Sequence, residues 1–380
     1  MFKKMLSYFE GDKVIWTVAV MLSIVSLVAV YSVSSINAFG SKQINPFLSV
    51  LNQLVILVSG LSLMFVVHKI KYTKFSRIAQ LLLYFGIVLL LITLFFGPDR
   101  SSARRWLSIP IINMSFQTSD FVKVALILYL SRILVVKNDI LDNFKSMIKP
   151  ILLPIIIILA LIALNSNTVA LMVMVIPLLM MLFAGVSHKV FGKFLLVLVA
   201  FFLLFHATSK IISPSQNRTS TLKNRIAAFV MPDKQQYDDS QKIRTAIVMG
   251  GVFGQGPGNC TQKTFLKNIE SDYIYALLIE EYGIIGGLVI LLLYVILAYR
   301  GIRVAVRAPS LYSSLLAFGV TVMICFQAFI HMMVIVGAFP ITGQPLPFVS
   351  MGGTSIWISF IALGILLSVS KTVDNYKVNQ

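Results

Sequence analysis

Residues 265–283 read FLKNIESDYIYALLIEEYG and hold four of the chain's fourteen acidic residues: Glu270, Asp272, Glu280 and Glu281. A polar segment ends here and an apolar run, Tyr273-Ile-Tyr-Ala-Leu-Leu-Ile, takes over. Carboxylates at such a boundary are costly unless they are solvated, paired or used in chemistry. Ser271 and Asp272 suit the N-cap of the helix that the apolar run predicts. Asp272 therefore has two readings, a helix cap and a catalytic base held at a water–lipid boundary. Residues 265–283 alone leave both open.

Of the 380 residues, 58% are hydrophobic and 12% charged, about half the charged fraction of a soluble chain. Apolar runs of about twenty residues recur from end to end, each sufficient to cross a bilayer. The chain reads as an all-α polytopic membrane protein with a single membrane domain over 1–380. The spans, about ten of them, are expected at 14–36, 48–67, 78–97, 119–137, 148–163, 168–186, 191–206, 272–299, 309–337 and 347–370. A large outer loop, 207–271, separates the seventh from the eighth. The fifth and seventh spans are short, and are expected to tilt little or to lie partly inside the bundle. Met1-Phe-Lys-Lys resembles the start of a signal peptide. No small-residue cleavage site follows the first apolar run, which is expected to stay as a helix. Cys260 and Cys325 fall in a loop and in mid-span and are not expected to pair.

Orientation follows from the lysines and arginines of the short loops. With both termini cytoplasmic, the inner segments carry 18 and the short outer loops 4. The net charge of +18 is thus mainly topological. It points to anionic lipid heads and away from nucleic acid. The 207–271 loop is then extracytoplasmic. A structureless loop of that length tends to be functional. Within it, 217–231 has the pattern of a short interfacial helix, with Arg218, Lys223 and Arg225 among Leu222, Ile226, Phe229 and Val230. Asn217-Arg-Thr matches a glycosylation sequon by chance.

Four further stretches stand out. Met249–Cys260, MGGVFGQGPGNC, is glycine-rich, but no strand precedes it and Pro257 interrupts it. A dinucleotide fingerprint fits it poorly, and a tight turn placing backbone against a lipid headgroup or another loop is expected. Ala103-Arg-Arg-Trp-Leu precedes Phe116-Gln-Thr-Ser-Asp-Phe-Val-Lys123. Asp120 and Lys123 share a helix face and can pair. Alternatively, Lys123 joins Arg104 and Arg105 as cations facing a phosphate-bearing lipid. Trp106 also suits the interfacial aromatic belt. Asn165-Ser-Asn-Thr168 is a tight polar turn. Val336–Ser355, VGAFPITGQPLPFVSMGGTS, predicts an unwound connection, tolerated at membrane depth where it is buried or lines a cavity. Ser350, Thr354 and Ser355 are its polar groups expected to face inward and, with Trp106, to bind substrate.

Taken together, ARRWL with FQTSDFVK, GGVFGQGPGN, NIESDYIYALLIEEYG and GAFPITGQPLPFVSMGGTS resemble, in order, the blocks of the SEDS family (shape, elongation, division and sporulation), which includes FtsW and RodA. The resemblance covers essentially the whole chain. It implies a ten-span SEDS fold and a peptidoglycan glycosyltransferase that polymerises lipid II on the outer face of the bacterial cytoplasmic membrane. It also implies a single-pass class B penicillin-binding protein as transpeptidase partner, with other divisome proteins. The family's essential aspartate falls on Asp272, its Arg-Trp on Arg105-Trp106 and its span-four lysine on Lys123. Its span-eight acid pair falls on Glu280-Glu281, with Glu270 as a further supporting acid, and its Ser-Tyr-Gly-Gly-Ser-Ser on Ser350–Ser355. The directness of the run from Tyr237 to Asp272 is closer to division-type than to elongation-type members. Asp120 replaces a usual Glu, Thr118 a Pro, Met351 a Tyr and His331 an Asn. The Asn165–Thr168 turn lacks the family's carboxylate.

Attack of a hydroxyl on an anomeric carbon needs a base, charge stabilisation at the departing diphosphate, and a groove for both sugars. Asp272 is expected as the base, with inversion at the donor sugar. Arg104, Arg105 and Lys123 are expected to face the diphosphate, aided by a divalent cation (Mg or Mn) carried by the substrate phosphates. No all-protein metal site and no organic cofactor are expected. The competing readings are a lipid II flippase, for which intramembrane Lys123, Glu280 and Glu281 and the unwound segment speak, and a non-catalytic scaffold.

Overall fold

The computed structural model describes residues 10–37, 46–98, 104–109, 114–137, 143–212, 238–262, 265–266 and 268–378. In chain order the helices are α1 (Lys13–Asn37), α2 (Pro46–Lys69), α3 (Tyr72–Phe96), α4 (Thr118–Val136), α5 (Phe144–Met147), α6 (Leu153–Ala163), α7 (Asn167–Phe183), α8 (His188–Ile212), α9 (Asp238–Gly250), α10 (Ile269–Asp272), α11 (Ile274–Arg307), α12 (Leu311–Ile335) and α13 (Gly353–Val378). A π-turn, Ile148–Leu152, joins α5 to α6. An antiparallel hairpin of β1 (Trp106–Ile109) and β2 (Met114–Gln117) precedes α4, with Trp106 opposite Gln117 and Ile109 opposite Met114.

Each expected span falls on a helix. Among the described residues, eight helices are long and apolar enough to cross a membrane, counting Phe144–Ala163 as one. α7 is shorter, and α4 carries Asp120, Lys123 and Arg132. Three expectations are corrected. The helices of the fifth span (α5–α6) and the seventh span (α8) are longer than their apolar cores, because helix continues through polar ends to Phe144 and to Ile212. In the fifth, Pro150 sits in the widened π-turn, which accommodates a residue lacking N–H; the Tyr129 hydroxyl donates to its carbonyl at 2.6 Å. The 207–271 loop contains α9, and the loop before α4 contains the hairpin. The interfacial helix expected at 217–231, with Asn217, lies outside the described residues.

The described residues form two compact units. One lies within Met1–Phe65, Asn224–Arg300 and Ile324–Ile361, the other within Val66–Lys223, Gly301–Met323 and Ala362–Gln380. In the second unit α4 is central, packing against α3 and α7. It is buried without a break from Val122 to Ser131, which explains its lack of an apolar stripe: a helix covered on all sides has no outward face.

The first unit contains the proline- and glycine-rich junction between α12 and α13. Unwound backbone away from water must find partners for its carbonyls, and here side chains supply them. His331 Nδ1 meets the Gln344 carbonyl at 2.7 Å, and Gln327 Nε2 donates to that of Pro345 at 3.0 Å. The Tyr294 hydroxyl donates to Pro347 O. Ser26 Oγ donates to Val349 O at 2.9 Å and accepts from Gln53 Nε2 at 2.8 Å. The Leu346 carbonyl accepts from the Val349 and Ser350 N–H groups. Since a carbonyl only accepts, His331 carries its hydrogen on Nδ1. Phe348, with φ of +67°, is fully buried and packs edge-on against Phe360 at 5.0 Å.

Candidate active site

The acidic stretch forms α10, a single turn, followed by α11. Asn268 opens the turn at φ +60°, and its carbonyl accepts from the N–H groups of Ser271 (3.1 Å) and Asp272 (2.9 Å). A helix end leaves carbonyls in need of donors, and the junction before α13 provides them. Met351 N–H donates to Glu270 O at 2.8 Å, and Ser350 Oγ donates to Ser271 O at 2.7 Å. The first carbonyl of α11 belongs to Tyr273, which accepts from Ala276 and Leu277. Tyr273, and neither Ser271 nor Asp272, therefore holds the N-cap position of the long helix.

Asp272 is half-buried. Ser271 Oγ donates to its Oδ1 at 3.2 Å. Gly343 faces its other oxygen: a Cβ built there would lie 3.6 Å from Oδ2, and its φ of +61° favours glycine in any case. Glu280 and Glu281 differ sharply, at 0% and 1% exposure. Glu280 Oε1 accepts from Thr261 N (2.7 Å) and Thr261 Oγ1 (2.8 Å), and its Oε2 from Cys260 Sγ (2.8 Å). Glu281 Oε1 accepts from Ser32 Oγ of α1. Burial in these bonds fits both glutamates to holding structure.

What Glu280 holds is the glycine-rich stretch. α11 is broken at Gly283 (φ +70°, ψ −176°), so the helical bonds from Ile284 to Glu280 and from Ile285 to Glu281 are unavailable. The stretch 251–256 replaces them on both sides. Ile284 N donates to Gly251 O at 2.9 Å and Ile285 N to Val252 O at 3.4 Å. Gln255 N donates to Glu280 O and Gly256 N to Glu281 O, each at 3.0 Å. The tight backbone approach of these glycines is made to the kink of a helix, α11, where the sequence predicts a lipid headgroup or another loop as partner.

The second unit holds the expected cations. Arg104 Nη1 donates to the carbonyls of Leu94 (3.3 Å) and Phe95 (3.2 Å) at the end of α3, a favourable place for a cation. Arg105 Nε donates to Asn165 O at 3.0 Å, tying the loop to the turn before α7. Trp106, half-buried, starts β1. Lys123 Nζ lies 2.7 Å from Asp120 Oδ1, both side chains buried. Removing one member of a buried pair costs about 3–5 kcal/mol, whereas removing both is far milder. Lys123→Met is expected to lower stability by about that amount and Asp120→Asn/Lys123→Met to recover most of it, as thermal melting in detergent will show.

The structure thus gathers Asp272, Glu270 and Ser350 in the first unit, with Glu280 and Glu281 farther along α11. Arg104, Arg105, Trp106 and Lys123 belong to the second. Thr354 and Ser355 are buried in the first turn of α13, and Ser355 O accepts from Ser359 Oγ. Sequence reading overlooks Gly343, Ser32 and Thr261, and names Ser271 only as a candidate N-cap. Only Ser271, adjacent to the aspartate, carries a local signal.

Residues 12–375 match the profile of the FtsW/RodA/SpoVE family, described as cell cycle proteins. The chain is 31% identical over 371 residues to the probable peptidoglycan glycosyltransferase FtsW of Trichlorobacter lovleyi, covering 95% of this chain and 93% of that one. It is 31% identical over 370 residues to stage V sporulation protein E of Bacillus subtilis, covering 95% and 97%. Among solved structures, a chain of a peptidoglycan synthase complex that coordinates polymerization and crosslinking superposes with a TM-score of 0.73 at 21% identity, over 96% of this chain and 98% of that one. The rod shape determining protein RodA of Thermus thermophilus gives a TM-score of 0.66 at 20% identity, over 95% and 96%. Fold, motif order and sequence agree: the chain is an integral membrane protein of the FtsW/RodA/SpoVE family.

Proposed function

We propose that this chain is a peptidoglycan glycosyltransferase. It polymerises lipid II into glycan strands on the outer face of the bacterial cytoplasmic membrane during septal wall synthesis, with both termini cytoplasmic. The observation that carries the mechanistic part is the contrast among the acids of one stretch. Glu280 and Glu281 are buried in structural hydrogen bonds, whereas Asp272 is half-buried, oriented by Ser271 and faced by a glycine. A base must be reachable by the proton it takes.

In the proposed step the acceptor hydroxyl attacks the anomeric carbon of the donor as its proton passes to the Asp272 carboxylate. The new C–O bond forms as the bond to the diphosphate breaks. The electron pair leaves with the lipid diphosphate, which needs no protonation by an acid, and the donor carbon inverts. Charge stabilisation of the diphosphate is assigned to Arg104, Arg105 and Lys123. Lys123, already neutralised by Asp120, contributes least of the three. Trp106 in the second unit, and Thr354 and Ser355 in the first, are proposed as further substrate-binding residues. Among the described residues no three His, Cys, Asp or Glu side chains gather as a metal site. A divalent cation carried by the substrate's phosphates would supply charge neutralisation there. A class B penicillin-binding protein and further divisome proteins are the proposed partners.

The test is incubation of the purified chain with labelled lipid II, alone and with its transpeptidase partner, in liposomes that also report translocation. Glycan strands are expected. Translocation of lipid II without strand formation overturns the proposal in favour of a flippase.

A further inference from the structure

We infer that Ser350 is a positioning residue for Asp272, clamping the peptide group on which the aspartate is mounted. The inference rests on the reading of Asp272 as the base and adds a residue that acts through it. The Ser271–Asp272 peptide plane is held at both ends: its N–H donates to Asn268 O at 2.9 Å, and its carbonyl accepts from Ser350 Oγ at 2.7 Å. The preceding carbonyl, of Glu270, is held by the next residue of the same junction, Met351, at 2.8 Å. Two successive residues of the junction thus fix two successive peptide groups immediately before the carboxylate.

Ser350 is itself immobile. It is 1% exposed, and its oxygen accepts from Leu346 N at 2.7 Å while its hydrogen is committed to Ser271 O. Leu346 lies two residues after Gln344 and one before Pro347, whose carbonyls are held by His331 and Tyr294. One hydroxyl therefore connects a backbone anchored from α11 and α12 to the turn that carries the aspartate. The same junction brings Gly343 against Asp272 Oδ2, so losing the clamp shifts both the carboxylate's mount and the surface facing it. The carboxylate is mounted on a single helical turn: α10 is four residues long, and an isolated turn is not stable alone. Misplacement of a reacting group by about 1 Å costs on the order of 100-fold in rate.

The experiment measures strand formation by the full chain with its partner, using labelled lipid II as the probe, for Ser350→Cys, Ser350→Ala and Ser350→Thr. Rates are taken per folded molecule, with Asp272→Asn as control. Cys fills the serine's volume and Ala leaves a small void, so either one that folds tests loss of the hydroxyl; Thr keeps it. The expected result is a kcat on the order of 10–100-fold lower for Cys and Ala, KM within about twofold of wild type, and recovery of most of kcat in Thr. A wild-type kcat per folded molecule in Cys or Ala overturns the inference, as does a loss of total rate that a smaller folded fraction fully accounts for. A raised KM at unchanged kcat would make Ser350 a substrate contact instead. If the Asp272→Asn control forms strands at the wild-type rate, the assignment of the base fails and the positioning role fails with it. A dead control beside fully active Cys or Ala removes the positioning role alone.

Discussion

Asp272→Asn is expected to reduce strand formation by about 10²–10⁴-fold, the range that positioned proton transfer contributes, while the protein stays folded and still holds lipid II. Asparagine keeps the shape of the side chain and an oxygen that can accept from Ser271 Oγ, now 3.2 Å from the carboxylate. Asp272 is half-buried and is not the N-cap of α11, so Asp272→Asn leaves the start of the long helix intact while removing the proton acceptor. The loss therefore falls on kcat with KM nearly unchanged, read from strand yield at matched protein concentration. Glu280→Gln makes the contrast. That side chain accepts from Thr261 N, Thr261 Oγ1 and Cys260 Sγ, and turning an amide NH₂ toward those donors costs stability first. Equal strand formation by wild type and Asp272→Asn would remove the base from the mechanism.

Gly283→Ala is expected to destabilise the fold by about 3 kcal/mol or more, through two effects that add. The backbone conformation at φ +70° and ψ −176° is essentially confined to glycine and costs other residues about 1–3 kcal/mol. A Cβ would also overlap the Val252 carbonyl and the Gly254 nitrogen. Residues 251–256 would then be displaced from the break in α11, loosening four backbone hydrogen bonds, each worth about 1 kcal/mol net. Gly254→Ala acts in the same direction, since its Cβ would meet the Glu281 carbonyl and the Gly283 nitrogen. Gly251→Ala is the comparison: φ is +51° but nothing lies within 4 Å, leaving only left-handed strain of about 1–2 kcal/mol. Thermal melting and protease sensitivity of 251–260 should rank the three accordingly. Equal, small losses for all three would contradict the part given to the kink.

Much of the fold is legible in the sequence because lipid-facing helices announce themselves by composition. Long apolar runs require internally satisfied backbone, which in a single segment means helix. The hairpin is missed because WLSI and MSFQ are only four residues each, too short for alternation to outweigh their place in a loop. α9 is missed because its start, Asp238-Asp-Ser-Gln-Lys, is polar; its helical signal is the short pattern Ile243, Ala246 and Ile247, of which Ile243 and Ala246 are buried. The site divides the same way. Asp272 is legible from its position at the edge of an apolar run. Its supports are not, because Ser350 and Gly343 lie more than seventy positions along the chain and meet it only after the junction folds. The pairing of the glycine-rich stretch with the kink is likewise invisible locally: each holds broken hydrogen bonds that only the other completes. Lys123 illustrates the opposite case, in which spacing alone foretells the partner, Asp120, that the structure supplies.

The measurement that bears most directly on the central claim is the pH dependence of single-turnover strand initiation, wild type beside Asp272→Asn. A base must be ionised to take the acceptor's proton, so the wild-type rate should fall on the acid side as one group becomes protonated. The residual rate of Asp272→Asn should be flat over the same range. An acid limb that persists unchanged in Asp272→Asn would place the titrating base elsewhere and contradict the account.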